Sequence, residues 1–160
     1  MRLGPKKTNQ KHRNGTALVE TAVVLPIFFT FIFAFIEFGH CFMTIHTMNS
    51  AARRAARAGV GEFKSTAEVV AFAHEILDSA IDADHANVRI LVKDGSAFDD
   101  PAVDASSINY ASLPDVELAT LESEALFIVR VQVPYSEIGI MGPRWVTTLN
   151  LYGQSVMRKE

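Results

Sequence analysis

A single cysteine in 160 residues, Cys41, rules out an internal disulfide framework and any Cys-x-x-Cys redox or zinc motif, leaving only a bridge between chains. No G-x-S-x-G elbow surrounds a serine, and no glycine-rich loop is built to cradle phosphate. Nucleophilic hydrolysis and nucleotide chemistry therefore lack their usual supports. Paired acids such as Asp99 and Asp100 lie in a polar stretch, without the apolar setting that acid–base catalysis uses. The segment His74-Glu75-Ile76-Leu77-Asp78 stops short of the H-E-x-x-H zinc motif: Asp78 stands where the second histidine belongs, and His85 is the only further donor in view. No catalytic residue, metal, cofactor or small-molecule substrate is expected.

Charge is absent in two informative places. Residues 1–15 contain no acid but carry Arg2, Lys6, Lys7, Lys11 and Arg13, so the formal charge of −3 hides a remainder with 10 basic against 18 acidic side chains. So acidic a remainder argues against nucleic acid as a partner, because phosphate binding needs clustered cations on the folded domain. Residues 21–36 carry no charge at all. Residues 18–38 as a helix rise about 31 Å, close to the hydrocarbon thickness of a bilayer. Membrane lipid is thus the first partner. The basic leader before the span, with no Lys or Arg in residues 38–52, places the N-terminus in the cytoplasm.

The leader, broken by Gly4-Pro5, is expected to be unstructured. An ordinary secretory signal is cut behind small residues after its apolar run, and Phe38-Gly39-His40-Cys41 offers no such site. The attractive junction, Gly15-Thr16, lies before the span, and Glu20 sits just inside it. An acid at the edge of a span calls for a partner. A cut after Gly15 would give Thr16 an α-ammonium four residues from that carboxylate; the alternative is that Glu20 reaches the interface by itself. Pro26, inside the span, frees one carbonyl and bends a helix without breaking it. Phe28, Phe29, Phe31, Phe33, Phe35 and Phe38 surround the helix, as lipid contact requires.

Gly15, then Thr16-Ala17-Leu18-Val19, Glu20 and an apolar run resemble the class III signal of type IV pilins and pseudopilins. The longer string RNGTALVETAVVLPIFF, with Ile36-Glu37-Phe38-Gly39 and the run Asn49-Ser50-Ala51-Ala52-Arg53-Arg54-Ala55-Ala56-Arg57-Ala58-Gly59, is similar to TadE-like proteins, the minor pseudopilins of tight-adherence (Flp-type) pili. The resemblance covers about residues 13–59. It implies cleavage after Gly15 by a prepilin peptidase, with Glu20 as fifth residue of the mature chain. It also implies other pilin or pseudopilin subunits and pilus-assembly machinery as partners, with Glu20 able to meet a neighbour's ammonium. Thr16 departs from the small apolar residue more usual at the mature start.

Past the span, Phe38, Cys41, Ile45, Met48, Ala52 and Ala55 recur at alternating spacings of three and four, a heptad-like seam. One continuous helix to about Ala58 is expected, its seam facing the chain's own domain, a neighbouring subunit, or both. Arg53, Arg54 and Arg57 near its end are either a solvated terminus favoured by the helix dipole or a docking patch for an acidic neighbour. Gly59-Val60-Gly61 should end the helix, and Ser65-Thr66-Ala67-Glu68 reads as a capping box opening a second one, with Val69, Phe72, Ile76, Leu77 and Ile81 or Ala80 on its apolar face. Strands are expected at residues 88–92, 116–121, 125–134 and 145–157, with Trp145, Thr147, Leu149 and Leu151 on one side of the last. Residues 93–113 read as a solvated acidic loop and 136–143 as another loop.

The fold class is α+β: a long N-terminal transmembrane helix extended beyond the membrane, a second amphipathic helix and a small antiparallel sheet, pilin-like. The divisions are a leader at 1–15, a span at 16–38, its extension at 39–59 and an extracytoplasmic domain at 60–160. The function expected is a minor pseudopilin, not an enzyme, in the bacterial inner membrane with its C-terminal domain periplasmic or in a pilus. The rival reading is an unprocessed single-pass anchor carrying a binding or adhesion domain.

Overall fold

The structure, a computed structural model, describes residues 10–61, 65–81, 87–104, 107–140 and 148–160, with side chains from Gly15 onward. The chain divides into two units, Met1–Phe38 and Gly39–Glu160. Helix α1 (Gln10–Gly61) runs through Pro26 and supplies the described part of the first unit. It begins five residues before the point where an unstructured leader was expected to end. At the other end it continues past Ala58 to Gly61.

The second unit is built on a sheet. Strands β1 (Arg89–Asp94), β2 (Leu126–Pro134) and β3 (Asn150–Arg158) form an antiparallel sheet in the order β1-β2-β3. In its register Val92 stands opposite Val129, and Val131 opposite Gly153. One face carries Val92, Phe127, Val129, Val131, Val133 and Leu151, all buried against the α1 residues Met48, Ala51, Ala52, Ala55 and Ala56 and the α2 residues Val69, Ala73 and Leu77. This is the α+β architecture that the succession of helices and strands implies.

Helix α2 (Thr66–Ile81) starts as a capping box predicts. The Ser65 N–H donates to Glu68 Oε2 at 3.1 Å and the Glu68 N–H donates to Ser65 Oγ at 3.3 Å, satisfying two N-terminal donors reciprocally. Thr66 adds a tie to the sequence-distant 116–118 segment: its Oγ1 donates to the Val116 carbonyl and accepts from the Leu118 N–H, both at 2.9 Å. Phe72, Ile76 and Ile81 are half-buried beside the three buried positions, whereas Ala80 is exposed.

Two glycines allow close packing. A Cβ on Gly153 would stand 2.5 Å from the Met48 carbonyl carbon and 2.6 Å from the Asn49 nitrogen, so β3 lies against the backbone of α1. Next to it, the Gln154 N–H donates to Asn49 Oδ1 at 3.1 Å. Gly59 is buried where α1 meets α2; a Cβ there would be 3.0 Å from Val69 Cγ2. The helix therefore uses Gly59 for an approach and carries on, with Lys159 Nζ donating to the Gly59 carbonyl at 3.4 Å.

Three sequence expectations are corrected. Residues 116–121 form no strand: Asp115 makes one bridge to Lys93 and Leu118–Thr120 is a 3-10 turn, because Leu118 is pulled into the core. The last strand starts at Asn150 rather than 145, with Leu149 exposed beside it; Trp145 and Thr147 lie outside the described residues. Within 136–143 a short helix α3 (Tyr135–Ile138) replaces the start of the loop.

The acidic 93–113 segment is also less solvated than expected. Lys93 and Asp94 belong to β1, and the 3-10 turn Ser96–Phe98 packs on β2. On the outer sheet face the Arg130 guanidinium lies 4.2 Å from the Tyr110 ring centre and 4.1 Å from that of Tyr152. Arg130 also donates to Gln154 Oε1 at 3.2 Å, and Gln154 Nε2 donates to Tyr110 Oη at 2.9 Å. This stack holds the segment down, and Arg158 adds an ion pair to Asp99 at 2.8 Å.

Two outcomes follow for the full chain in detergent. Gly153→Ala must push β3 off the α1 backbone and should cost about 1–3 kcal/mol, the usual range for overpacking, read as a lower thermal midpoint. Glu117 accepts the Thr66 N–H at 2.8 Å and the Ala119 N–H at 3.4 Å, and these bonds, the first above all, hold its carboxyl below the usual range. A depressed folded pKa means stabilisation present at neutral pH and lost as pH falls through and below the ordinary carboxylate range. Glu117→Gln should therefore flatten the acid limb of stability against pH in thermal melts between pH 7 and pH 3.

Candidate membrane span and assembly surface

In the first unit every described residue from Gly15 to Phe38 is exposed except the half-buried Ala34 and Glu37. Leu18, Phe35 and Phe38 are 71%, 73% and 65% exposed. No part of the unit covers this apolar surface. The polar groups are dealt with internally: Thr21 Oγ1 donates to the Ala17 carbonyl and Thr30 Oγ1 to the Pro26 carbonyl, each at 2.8 Å. Such back-bonding suits a medium that offers no water. Phe29 and Phe33 stack with ring centres 6.2 Å apart.

At the start of the span, Gly15 and Thr16 are both helical in the uncut chain. A Cβ on Gly15 would meet nothing within 4 Å. Neither packing nor backbone geometry explains glycine there. Glu20 is exposed, with no ion pair among the described residues. Thr16 and Glu20 share one helix face, a turn apart. Within the chain the Thr16 nitrogen is a neutral amide, and a cut before it would turn it into a cation facing the acid.

The seam residues divide. Phe38 is exposed, Cys41 and Ile45 are half-buried, and Met48, Ala52 and Ala55 are wholly buried under their own sheet. The opposite side of α1 displays Arg53, Arg54 and Arg57, all exposed, which with Ser50 line a shallow hollow of about 180 Å³. Among the described residues none of the three arginines is in an ion pair. A larger open hollow of about 390 Å³ lies along the 115–125 segment and includes Asp115, Glu117 and Glu122. His74 and Asp78 share α2, His85 lies outside the described residues, and no three His, Cys, Asp or Glu side chains among the described residues gather as metal ligands.

The Arg130 stack and the Asn49 tie to β3 were not foreseen from sequence. The available signal was the alternation of Arg130 and Gln132 within β2, which marks a polar outer face on which tyrosines can lie.

An uncovered apolar helix of bilayer length, joined in one chain to an α+β domain, fits a single-pass membrane anchor near the N-terminus. Residues 15–57 match the model of the family described as TadE-like protein, from Gly15 through the span and seam to Arg57. No curated protein and no solved structure matches the chain.

Because the three arginines are exposed and in no ion pair among the described residues, replacing Arg53, Arg54 and Arg57 together by Ala should shift stability by no more than about 0.5 kcal/mol per site, as surface changes do. Thermal melts of the triple variant check this, and any assembly defect it shows then belongs to a partner contact.

Proposed function

We propose that this chain is a minor pseudopilin of a tight-adherence (Flp-type) pilus system, a structural subunit or assembly factor that is cut after Gly15 by a prepilin peptidase. The observation that carries the reading is Gly15 itself. It opens the segment matched by the TadE-like family model, yet its own structure asks nothing of a glycine. A glycine that the fold does not require suits recognition by an external enzyme.

In this reading the chain is a substrate, not a catalyst. It inserts once in the bacterial inner membrane, with the basic leader in the cytoplasm and the α+β domain outside. Hydrolysis of the Gly15-Thr16 peptide bond releases the leader as a carboxylate and leaves Thr16 with an ammonium. That cation neutralises Glu20 within one helical turn or meets a Glu20 of an adjacent subunit, fixing axial register. Arg53, Arg54 and Arg57 serve as a docking face for an acidic neighbour in the assembly, and Phe38, Cys41 and Ile45 are the seam positions with surface left for subunit contact.

Intact mass of the protein extracted from membranes of cells that make the peptidase should show loss of residues 1–15. Gly15→Leu should leave the fold and insertion unchanged while abolishing that loss. Glu20→Gln should be processed and inserted but assemble poorly. A natural chain still beginning at Met1 would replace this reading by an unprocessed anchor bearing a binding domain.

A further inference from the structure

Among the described residues the second unit exposes six large apolar side chains, and four of them fall at one end. Phe42 and Met43 on α1 are 71% and 67% exposed, and Ile140 and Leu149, on the chain between α3 and β3, are 60% and 50% exposed. Two contacts set their levels. Gln154 bonds Asn49, and Lys159 bonds the Gly59 carbonyl, so five residues of β3 run alongside ten of α1 in the same direction. The match is physical, since five strand residues and ten helical residues both span about 15–17 Å. Carried back by the same ratio, Leu149 stands level with about residue 39 of α1. Ile140 belongs to the same end, because the Tyr135 N–H that opens α3 donates to the Leu149 carbonyl at 2.9 Å, and the Gly139 N–H closes α3 onto the Tyr135 carbonyl at 2.9 Å.

Phe42 lies four helical residues past Phe38, about 6 Å along the axis. The headgroup layer on each side of the hydrocarbon is about 5–7 Å deep. A phenylalanine and a methionine at that depth, level with an isoleucine and a leucine from a different part of the chain, make an apolar rim at the end of the second unit where its helix begins. We infer that the end of the α+β domain formed by Phe42, Met43, Ile140 and Leu149 rests in the lipid interface, giving the domain a second membrane contact besides its helix. The inference rests on the proposed span. The occupant is lipid because the rim begins within the thickness of the interface.

The far end of the sheet is its control. Glu122 is exposed there, close to where Glu124 and Ala125 pair with Lys159. In the full chain carrying Trp145→Phe, so that no native tryptophan remains, single tryptophans are placed by Leu149→Trp, Ile140→Trp or Glu122→Trp. Each protein is reconstituted in phosphatidylcholine–phosphatidylglycerol vesicles with and without lipids brominated along their chains. Emission from positions 149 and 140 is expected to shift to the blue and to be quenched by the bromolipid, while position 122 keeps its intensity. Co-flotation with vesicles but no quenching at 149 and 140 overturns the contact and leaves the span intact. Equal quenching at all three positions overturns the end-on arrangement. A blue shift at 149 and 140 without quenching assigns the rim to a protein partner and equally overturns it. Failure to co-float removes the span and the contact together.

Discussion

The domain depends on one backbone-to-backbone contact. β3 passes over α1 at Gly153, where only a hydrogen fits between the strand and the Met48-Asn49 peptide. The run of alanines on α1, four of them wholly buried, extends that close approach along the helix. Small residues on the helix face larger ones on the sheet, Phe127 and the β2 valines, so the two layers come close although α1 contributes little volume. Asn49 then fixes the lateral position by taking the Gln154 N–H, and Lys159 ties down the helix end.

Elements whose pattern is set locally were readable from the sequence. The absence of charge over residues 21–36 defined the apolar helix, Ser65 and Glu68 defined the start of α2, and alternation defined β2. What could not be read depended on partners distant in sequence. Leu118 looked like part of a strand because its neighbours are apolar, but Thr66, some fifty residues earlier, draws that stretch into a turn. Tyr110 sits among Asp, Ser and Ala in a segment of loop-like composition, and only the side chain of Arg130 gives it a place to lie. The helical seam was visible as a pattern, yet the pattern does not state whether a domain or another subunit fills it; the sheet covers Met48, Ala52 and Ala55 and leaves Phe38 bare.

The candidate processing site shows the reverse relation. Gly15, Thr16 and Glu20 stand out in the sequence, while in the folded chain all three are exposed. In the proposed function their information concerns chemistry done to the chain rather than the core of the domain. The domain's surface has a comparable separation of roles: arginines on α1, carboxylates about the Leu118–Thr120 turn, and exposed apolar side chains near the start of the second unit.

Each border of the sheet is engaged by another element over part of its length. Along β3 the helix and Asn49 take the outward-facing N–H of Gln154, while along β1 the 114–116 stretch bonds Asp94 and Val92. On the β1 border this leaves residues 89–91, a length too short to template another strand. Where another element already bonds the border, a neighbouring molecule's strand has no free partners to pair with, which restrains edge-to-edge zipping of crowded copies at those positions.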